Sequence, residues 1–349
     1  MASIAETRGF FDSFVLADIS RERAEQAVAE LDDPGKFSAE TVDAGDVKAL
    51  IALITRTKAD IVINACDPRF NEPIFEACFT AKCNYLDMAM NLSEPHPTNP
   101  YEEIGVTLGH AQLAAHEEWK ERGLLALVGM GVEPGLSDVF ARYAADNLFD
   151  TIDEIGVRDG SNLSIDGFDF APTFSIWTTI EECLNPPTIY ERSKGWYTTR
   201  PFSEPEIFEF PAGIGAVECV NVEHEEISML PRNIKANRVT FKYGLGEEFI
   251  GVLKTLHKLG LDATKLQRVR SAQGPVDVAP RDMVAAVLPD PATIGPRMTG
   301  KTCAGLLVTG KDKDGRDRAT YLYHVADNAE TMANIEAQCV VAQTAFNPL

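Results

Sequence analysis

Two sets of titratable side chains in this chain of 349 residues have the types and spacing for proton chemistry. His224 is followed directly by Glu225 and Glu226, and the near-neutral pKa of an imidazole suits proton transfer. Asp87, in the run NYLDMA, and Glu133, in the run GMGVEPG, are carboxylates that can hold an ammonium group. Each has a simpler alternative: a hydrogen-bonded surface histidine, or acidic residues that cap a helix or form a turn.

The elements that would position these side chains alternate between short apolar strands and amphipathic helices. The expected strands are FVLAD, FSAETVD, ADIVINA, CNYLDM and LLALVGMGV. The expected helices between them are SRERAEQAVAEL, DVKALIALITRT, NEPIFEACFTAK and HAQLAAHEEWKERG. This alternation is typical of a doubly wound parallel sheet, so we predict an α/β fold of the Rossmann type for the first part of the chain.

From about residue 136 the pattern changes to mixed strands and helices, which indicates an α+β domain. The run GLLVTGKDKDGRDRATYLYHV, residues 305–325, predicts a hairpin that turns at Asp314-Gly315. The run ADNAETMANIEAQCVVAQTAFN predicts one C-terminal helix.

Polar residues recur where the predicted strands of the first part end, and ligands of such sheets bind beyond the carboxyl ends of the strands. A carboxylate such as Asp18, at the end of an early strand, typically accepts hydrogen bonds from the ribose hydroxyls of an adenine dinucleotide. Alone, Asp18 or Asp43 is equally well explained as a helix N-cap, and their recurrence at successive strand ends is what favours a binding site. The cofactor-binding candidates are Asp18, Ile19, Ser20, Asp43, Ala44, Asn64, Ala65, Cys66, Tyr85 and Asp87.

Composition excludes several classes of partner. The formal net charge of -21 repels phosphate backbones and anionic lipids, so we expect neither nucleic-acid nor membrane binding. The seven cysteines form no C-x-x-C pair and lack a neighbouring histidine that would complete a metal site. We therefore expect reduced thiols, no metal and a cytoplasmic location.

Two runs carry a family resemblance: VDAGDVKALIALITRTKADIVINACDPRFNEPIFEACFTAKCNYLDMA and, further on, GLLALVGMGVEPGLSDVFARY. They resemble the saccharopine dehydrogenase-like family, which includes lysine 6-dehydrogenase, glutamate-forming saccharopine dehydrogenase, and the carboxynorspermidine and homospermidine synthases. The resemblance extends from Phe14 to the end and is strongest over residues 14–140. Lysine 6-dehydrogenase is most similar to this chain in the run FSIWTTIEECLNPPTIY. The carboxynorspermidine and homospermidine synthases, the polyamine branch of the family, are similar to it in the run VEHEEISML.

The resemblance implies a dinucleotide-binding domain at 1–135, an α+β substrate and dimerisation domain at 136–323, and a C-terminal helix at 324–349 that returns to the first domain. It also implies a homodimer. Family members carry a glycine-rich phosphate loop ahead of the strand that begins at Phe14, and none of the thirteen preceding residues spells G-x-G-x-x-G. We therefore expect a chain shortened at both termini, without its first strand and glycine loop, and weak cofactor binding.

The family's reaction joins or breaks a C–N bond through hydride transfer between an amine carbon and nicotinamide. It requires a base, carboxylates near the cationic amine, and cations near a substrate carboxylate. We expect Asp87, Glu133 and His224 to be catalytic, with Glu133 also contacting the substrate. The other expected substrate residues are Phe174, Trp177, Arg192, Arg238 and Arg281; solvated arginines and aromatic core packing are the alternatives.

Asp18 favours NAD over NADP because a carboxylate binds the ribose diol and repels a 2′-phosphate, although Arg21 and Arg23 can reverse this preference. We predict an NAD(P)-dependent dehydrogenase acting on a small amino acid or amine, of the saccharopine or L-lysine type. One alternative is a polyamine-forming reductase that joins a diamine to an aldehyde. The other is an inactive homologue or an interaction subunit.

Overall fold

The computed structural model describes residues 1–349. The chain divides into two compact units. The first unit comprises residues 1–94, 106–136 and 342–349, and the second unit comprises residues 95–105 and 137–341.

The first unit alternates strands and helices, as the sequence predicts. Its elements are α1 (Ala2–Ala5), β1 (Phe14–Asp18), α2 (Arg21–Ala29), β2 (Phe37–Thr41), α3 (Val47–Thr57), β3 (Ile61–Asn64), α4 (Asn71–Ala81), β4 (Asn84–Asp87), α5 (His110–Ala114), α6 (His116–Glu121) and β5 (Ala126–Leu127). All strand pairs are parallel and form two pieces, β1-β2 and β3-β4-β5. This is the Rossmann-like sheet, with β1 and β3 not hydrogen-bonded to each other.

Side-chain caps begin the helices directly after the strands. The Ser20 hydroxyl accepts the Arg23 N–H at the start of α2, and Asp46 accepts the N–H groups of Lys48 and Ala49 at the start of α3. Such caps satisfy N–H groups that have no partner within the helix. Each strand therefore ends at the same edge of the sheet, just before a helix begins.

The second unit is built on a large mixed sheet. Its elements are α7 (Leu136–Tyr143), β6 (Thr151–Ser161), β7 (Ser164–Ile165), α8 (Ile176–Leu184), β8 (Thr188–Glu191), β9 (Gly195–Thr198), β10 (Glu206–Phe210), β11 (Gly215–Asn221), α9 (Glu226–Asn233), β12 (Ala236–Tyr243), α10 (Glu247–Leu259), β13 (Gln267–Ser271), β14 (Gly274–Val278), α11 (Pro280–Val287), β15 (Met298–Thr299), β16 (Lys301–Lys311), β17 (Asp317–Asp327) and α12 (Asn328–Ile335). The last helix, α13 (Cys339–Phe346), begins in the second unit and ends in the first. The main sheet runs β10-β11-β12-β6-β16-β17, with β8 and β9 attached.

The core of the second unit lies where α8, α9 and α10 cover the central strands. Alternate residues of β6 and β12, among them Ile155, Val157, Val239 and Phe241, are buried there. The opposite residues of the same strands, such as Arg158 and Lys242, carry charge. Side chains alternate between the two faces of a strand, so Asp159 and Tyr243 lie at the end of the apolar face. These two residues are register partners in the pairing of β6 with β12.

The C-terminal region differs from the expectation of a single helix. The predicted hairpin forms, but its second strand β17 extends to Asp327, which then caps α12. That helix ends at Ile335, where Glu336 is left-handed with φ 54°, and α13 follows separately. Residues 324–341 thus belong to the second unit, and 342–349 belong to the first. No helix has both the length and the apolar character needed to cross a membrane.

Candidate active site

The first group of candidate residues lies at the carboxyl edge of β1 and β2. The Oδ1 atom of Asp18 accepts the Ser20 N–H at 2.8 Å, which leaves Oδ2 available to a ligand, and Ile19 beside it is 69% exposed. Asp43 is exposed and accepts the Gly45 N–H at 2.8 Å, while Ala44 is half-buried. The Val42 N–H donates to the Asp18 carbonyl at 3.1 Å, so the two strand ends are neighbours.

The edge continues to β3. Ala65 and Cys66 follow the strand and are exposed. Burial, the carboxylate of Asp18 and that of Asp67 all raise the pKa of the Cys66 thiol. The influence of Asp18 on Cys66 indicates that the ends of β1 and β3 converge, although the strands are not paired.

A buried polar network joins the ends of β3, β4 and β5. The Asn64 amide donates to Asn71 at 2.7 Å and to the Tyr85 hydroxyl at 3.1 Å, and its oxygen accepts the Cys66 N–H at 3.0 Å. The Tyr85 hydroxyl donates to Asp87 at 2.8 Å. Burial, followed by the charge of Asp87, raises the pKa of Tyr85, which keeps this hydroxyl protonated and able to donate.

Asp87 is the centre of this network. Its side chain accepts hydrogen bonds from the Tyr85 hydroxyl, from Gln112 Nε2 at 2.6 Å and from the Gly129 N–H at 2.6 Å, and the residue is 1% exposed. A carboxylate held this way is stabilised as an anion. It would have to exchange one of these partners before taking a proton from a substrate, so the geometry favours a positioning role.

Glu133 lies in a tight loop between Gly131 and Gly135. A Cβ on Gly135, whose φ is 128°, would lie 2.2 Å from the Gly131 carbonyl, so the loop requires glycine there. The Asn347 amide donates to that same carbonyl at 2.9 Å. Glu133 Oε1 is buried without a hydrogen-bond partner, so a donor from a ligand would satisfy it.

In the second unit, His224 lies within a group of acidic residues. The imidazole is 2% exposed and stacks on Phe241 with 3.8 Å between ring centroids. Its Nδ1 lies 2.6 Å from Glu226 and 3.2 Å from Glu225, and its Nε2 lies 3.1 Å from the Tyr243 hydroxyl. The Ser137 hydroxyl donates to the other Glu226 oxygen at 2.9 Å.

The near-neutral imidazole expected from the sequence is not what this environment produces. Burial lowers the pKa of His224, but Glu226 and Glu225 outweigh burial and raise the pKa to about 10. At neutral pH the ring is therefore an imidazolium that donates from both nitrogens. It can orient Glu226 and Tyr243, whereas a base for neutral pH must come from another group.

Two further carboxyl groups near His224 are candidates for a proton-accepting base. Burial raises the pKa of Glu182 to about 8, the positive charge of His224 opposes this shift, and Glu225, Glu226 and Glu223 add to it. Burial also raises the pKa of Asp159, again opposed by His224 and reinforced by Glu226. We name these five acidic residues the carboxylate cluster: Asp159, Glu182, Glu223, Glu225 and Glu226. Because a single imidazolium lies among them, the cluster suits a cationic ligand.

The aromatic candidates of the second unit belong largely to the protein's own packing. Trp177 is buried, donates its indole N–H to Asp282 at 3.0 Å and packs beneath the Arg281 guanidinium, 4.6 Å from the ring centroid. Phe174 is half-buried, immediately before Ser175, which caps α8.

The arginine candidates are mostly paired with protein carboxylates. Arg281 binds Glu181, and Arg238 binds Glu204 and, at 3.5 Å, Glu191. Arg192 is exposed in the turn between β8 and β9. Arg281 would have to change its partner to bind a substrate carboxylate, whereas the Nε atom of Arg238 is buried without a hydrogen-bond partner.

The structure thus brings the predicted cofactor residues together at one edge of the first unit, and places His224 in a separate group within the second unit. Sequence reasoning missed Gln112, Gly129, Glu182 and Asp159. A carboxylate that interrupts an apolar face, as Asp159 does in β6, is the signal that would have indicated the last of these.

The edge of the first unit fits the adenosine half of a dinucleotide. Asp18 supplies a carboxylate acceptor for ribose hydroxyls, and Ile19 and Ala65 supply exposed apolar surface beside it. The network from Asn64 to Gly129 gives the other half of the edge a fixed polar lining.

Comparisons with known proteins agree with this assignment. Residues 1–127 match the family model described as the saccharopine dehydrogenase NADP binding domain, and residues 131–347 match the saccharopine dehydrogenase C-terminal domain. Carboxynorspermidine synthase of Vibrio cholerae is 32% identical over 313 residues, which cover 90% of this chain and 73% of that protein. Carboxyaminopropylagmatine dehydrogenase of Synechocystis is 29% identical over 331 residues, covering 95% of this chain and 79% of that protein.

A solved structure shares the fold. The saccharopine dehydrogenase (L-Glu forming) of Saccharomyces cerevisiae superposes with a TM-score of 0.62 at 12% identity, over 95% of this chain and 83% of that one. The chain therefore belongs to the saccharopine dehydrogenase family, whose members are NAD(P)-dependent dehydrogenases acting on the C–N bonds of amine substrates.

Proposed function

We propose that this protein joins a short diamine to an aldehyde by reductive amination, forming a secondary amine of the polyamine class. The observation that carries the proposal is the carboxylate cluster of the second unit, in which five acidic side chains act on one another around a single imidazolium. The similarity to relatives named for polyamine synthesis favours this substrate class over the saccharopine or L-lysine type.

The electrostatics of the cluster support a dication as ligand. Burial, reinforced by repulsion from neighbouring carboxylates, raises the pKa values of Glu182 and Asp159, so positive charge brought near them stabilises their ionised forms. A diamine carries an ammonium group at each end, and neither end has a carboxylate that the cluster would repel. An amino acid placed at the cluster itself would bring a carboxylate among these acidic side chains, and the buried Arg281 is already bound to Glu181.

The chemistry needs an unprotonated amine. A free alkylamine has a pKa of about 10, so at neutral pH a base must remove a proton before nitrogen attacks the aldehyde carbon. We assign this step to Glu182: its pKa of about 8 leaves it largely protonated in the unliganded protein at neutral pH, the positive charge of the bound diamine favours its ionised form, and that carboxylate accepts a proton more readily than an ordinary one. Loss of water then gives an imine.

Reduction completes the bond. A nicotinamide cofactor, when bound, supplies the hydride that converts the imine carbon to a secondary amine. Within the first unit, Glu133 has an unpartnered buried oxygen, which suits a cationic group. His224 holds Glu226 in place as a fixed hydrogen-bond donor, and Asp87 positions the edge of the first unit through Tyr85 and Gly129.

For the cofactor we propose NAD rather than NADP. Support comes from Asp18 at the end of β1, whose carboxylate suits a ribose diol. Arg21, which would favour a 2′-phosphate, is paired with Glu25 at 2.6 Å.

The test is a matched set of assays. Purified protein is incubated with NADH or NADPH, diaminopropane or diaminobutane, and an amino-acid semialdehyde, and the product is identified by mass spectrometry. We expect cofactor oxidation only when both amine and aldehyde are present, and a product whose mass equals the two substrates minus water plus two hydrogens. Oxidation of L-lysine or saccharopine with no diamine reaction, or no turnover of any of these substrates, would refute the proposal.

We also propose a homodimer working in a reducing, cytoplasmic environment. Support for the dimer comes from β17, an edge strand of eleven residues that pairs on one side only and carries the exposed Tyr323. The reducing environment is supported by seven unpaired cysteines. Sedimentation velocity at several concentrations tests the dimer, and a monomer throughout would overturn it.

A further inference from the structure

One two-stranded hairpin of the second unit is separate from the main sheet. We name residues 265–278, which contain β13 and β14, the basic arm. Its two strands pair only with each other, and every residue from 264 to 273 is exposed. A two-stranded hairpin on its own is marginally stable at best in water. A contact that adds a strand to the arm or covers one of its faces would therefore stabilise it.

The two faces of the basic arm differ in chemistry. Val269 and Val276 are register partners on one face, where they are 41% and 40% exposed. Arg268 and Arg270 alternate with Val269 along β13, so they lie on the other face. Arg268 binds Asp277 across the hairpin at 2.8 Å, whereas Arg270 is exposed and forms no ion pair. The arm thus presents an apolar face and a cationic face with one unpaired charge.

The charge of the basic arm is opposite to that of the chain as a whole. Lys265, Arg268 and Arg270 outnumber its single acidic residue, Asp277, while the chain has a formal net charge of -21. A chain with this net charge is repelled by nucleic acid and by anionic lipid, but its acidic surface attracts the arm of another copy. Charge complementarity therefore points to a second molecule of this protein as the partner of the arm.

The edge strand β10 offers a surface that matches the arm. It lies at the opposite end of the main sheet from β17 and pairs on one side only, with β11. Like β13 it has five residues, and Pro205 and Pro211 lie just outside it, so its interior is free of proline. One face carries Ile207, which is 69% exposed, and Glu209, which is exposed and forms no ion pair. Glu218, the register partner of Ile207, extends this acidic face.

We propose that the basic arm docks on β10 of a second copy of this chain, where β13 is added as a further strand at the edge of the sheet. Strand addition pairs the backbone groups of both edges and continues both faces of the sheet. Arg270 then lies beside Glu209 of the second copy, and Val269 lies on the same face as its half-buried Phe208. In a two-fold symmetric dimer the contact occurs twice, because each copy supplies one arm and one edge.

This inference rests on the homodimer proposed above and assigns the surfaces that form it. The reductive amination does not depend on it, since none of the residues assigned to that reaction belongs to the basic arm or to β10.

The experiment measures the dissociation constant of the dimer for the full chain, by sedimentation velocity at several protein concentrations and at low and high salt. Arg270→Glu and Glu209→Arg are made singly and then together in one chain. Both side chains are exposed, so neither change buries a charge, and thermal unfolding confirms that each variant folds. Lys235→Glu, which reverses another exposed charge of the second unit, is the matched control.

We expect each single reversal to raise the dissociation constant at least about tenfold, because it places like charges side by side at both copies of the contact. The combined variant should return to within about threefold of the unmodified protein, and Lys235→Glu should leave the dimer unchanged. High salt should weaken the unmodified dimer.

The proposal is overturned if dimerisation ignores both single reversals, or if the combined variant does not recover. In those outcomes the homodimer remains and only its interface is wrongly assigned, whereas a monomer at every concentration removes the homodimer as well. Binding of the monomer to DNA or to phosphatidylserine vesicles, lost in Arg270→Glu, would give the arm a different partner and would also overturn the proposal.

Discussion

In the first unit, the buried carboxylate of Asp87 accepts hydrogen bonds from Tyr85, Gln112 and Gly129. In the second unit, burial is the main cause that raises the pKa values of Glu182 and Asp159, and neighbouring carboxylates add to the rise against the opposing charge of His224. Both arrangements bury acidic groups, but one stabilises the anion internally and the other leaves it to be stabilised by a cation. The first arrangement stabilises the fold of its own unit, and for the second we propose a role in binding a cation.

The largest effect is expected from Asp87→Asn. One oxygen becomes an NH₂ group that faces hydrogen-bond donors, so we expect unfolding of the first unit to become easier by about 3 kcal/mol. Denaturant unfolding checks this, with the exposed Asp32→Asn as control. An unchanged midpoint would mean that the network around Asp87 contributes little to stability, and the contrast between the two units would fail.

Glu226→Gln tests the second unit through charge alone, because the amide can still accept from His224 and donate to Ser137. Removing the anion takes away the largest of the charges that oppose burial, so the pKa of His224 falls from about 10, although Glu225 and Glu182 still raise it. We expect kcat/KM for the diamine to fall by about 30-fold or more. NMR titration of the imidazole and steady-state kinetics provide the measurements, with the exposed Glu218→Gln as control. A histidine pKa that stays near 10 would contradict this account.

The free energy of unfolding should depend on pH through Glu182 of the second unit. Folding raises the pKa of Glu182 from 4.5 to about 8, so its contribution is most favourable below pH 4.5 and is lost as pH rises through about 8. A bound diamine offsets that loss, and it is still charged at about pH 9. Diaminobutane should therefore raise the Tm by several degrees more at about pH 9 than at about pH 6. Glu182→Gln should abolish the difference, and an equal shift at both pH values would contradict the assignment.

The smallest effect concerns cofactor choice. Asp18→Ala removes the carboxylate that disfavours a 2′-phosphate, so the ratio of kcat/KM for NADH to that for NADPH should fall about tenfold. Glu22→Gln, a change at an exposed position in the first turn of α2, is the control. If Asp18→Ala leaves the ratio unchanged, Asp18 acts as a helix-entry residue rather than a ribose ligand.

The sequence predicted those parts of the fold that depend on local pattern. Strands such as β3 and β4, the caps Ser20 and Asp46, and the hairpin of β16 and β17 each follow from residues close together in the chain. The prediction of a single C-terminal helix was wrong. The hairpin continues its pairing to Asp327, and the helix that follows ends where Glu336 takes a left-handed conformation. Neither event has a glycine or proline to signal it.

The candidate site was predictable only in part, for a related reason. Asp18, Asn64 and Asp87 stand at strand ends, and the topology of a parallel sheet brings strand ends together. The pKa of His224 depends on Glu182 as well as on its sequence neighbours, and Asp87 depends on Gln112, which comes from a separate helix. No local pattern encodes such contacts, because tertiary packing alone determines which distant polar groups meet.

The division of the parallel strands into two ladders affects native-state motion. The pair β1-β2 shares no interstrand hydrogen bond with β3-β4-β5, and its ring-on-ring contacts join Phe11, Phe14 and Phe37 among themselves. The β1-β2 pair can therefore unfold locally as one cooperative unit while β3, β4 and β5 stay folded. Asp18 and Asp43 both belong to that pair, so this half of the rim would gain most in rigidity when a nucleotide spans both ladders.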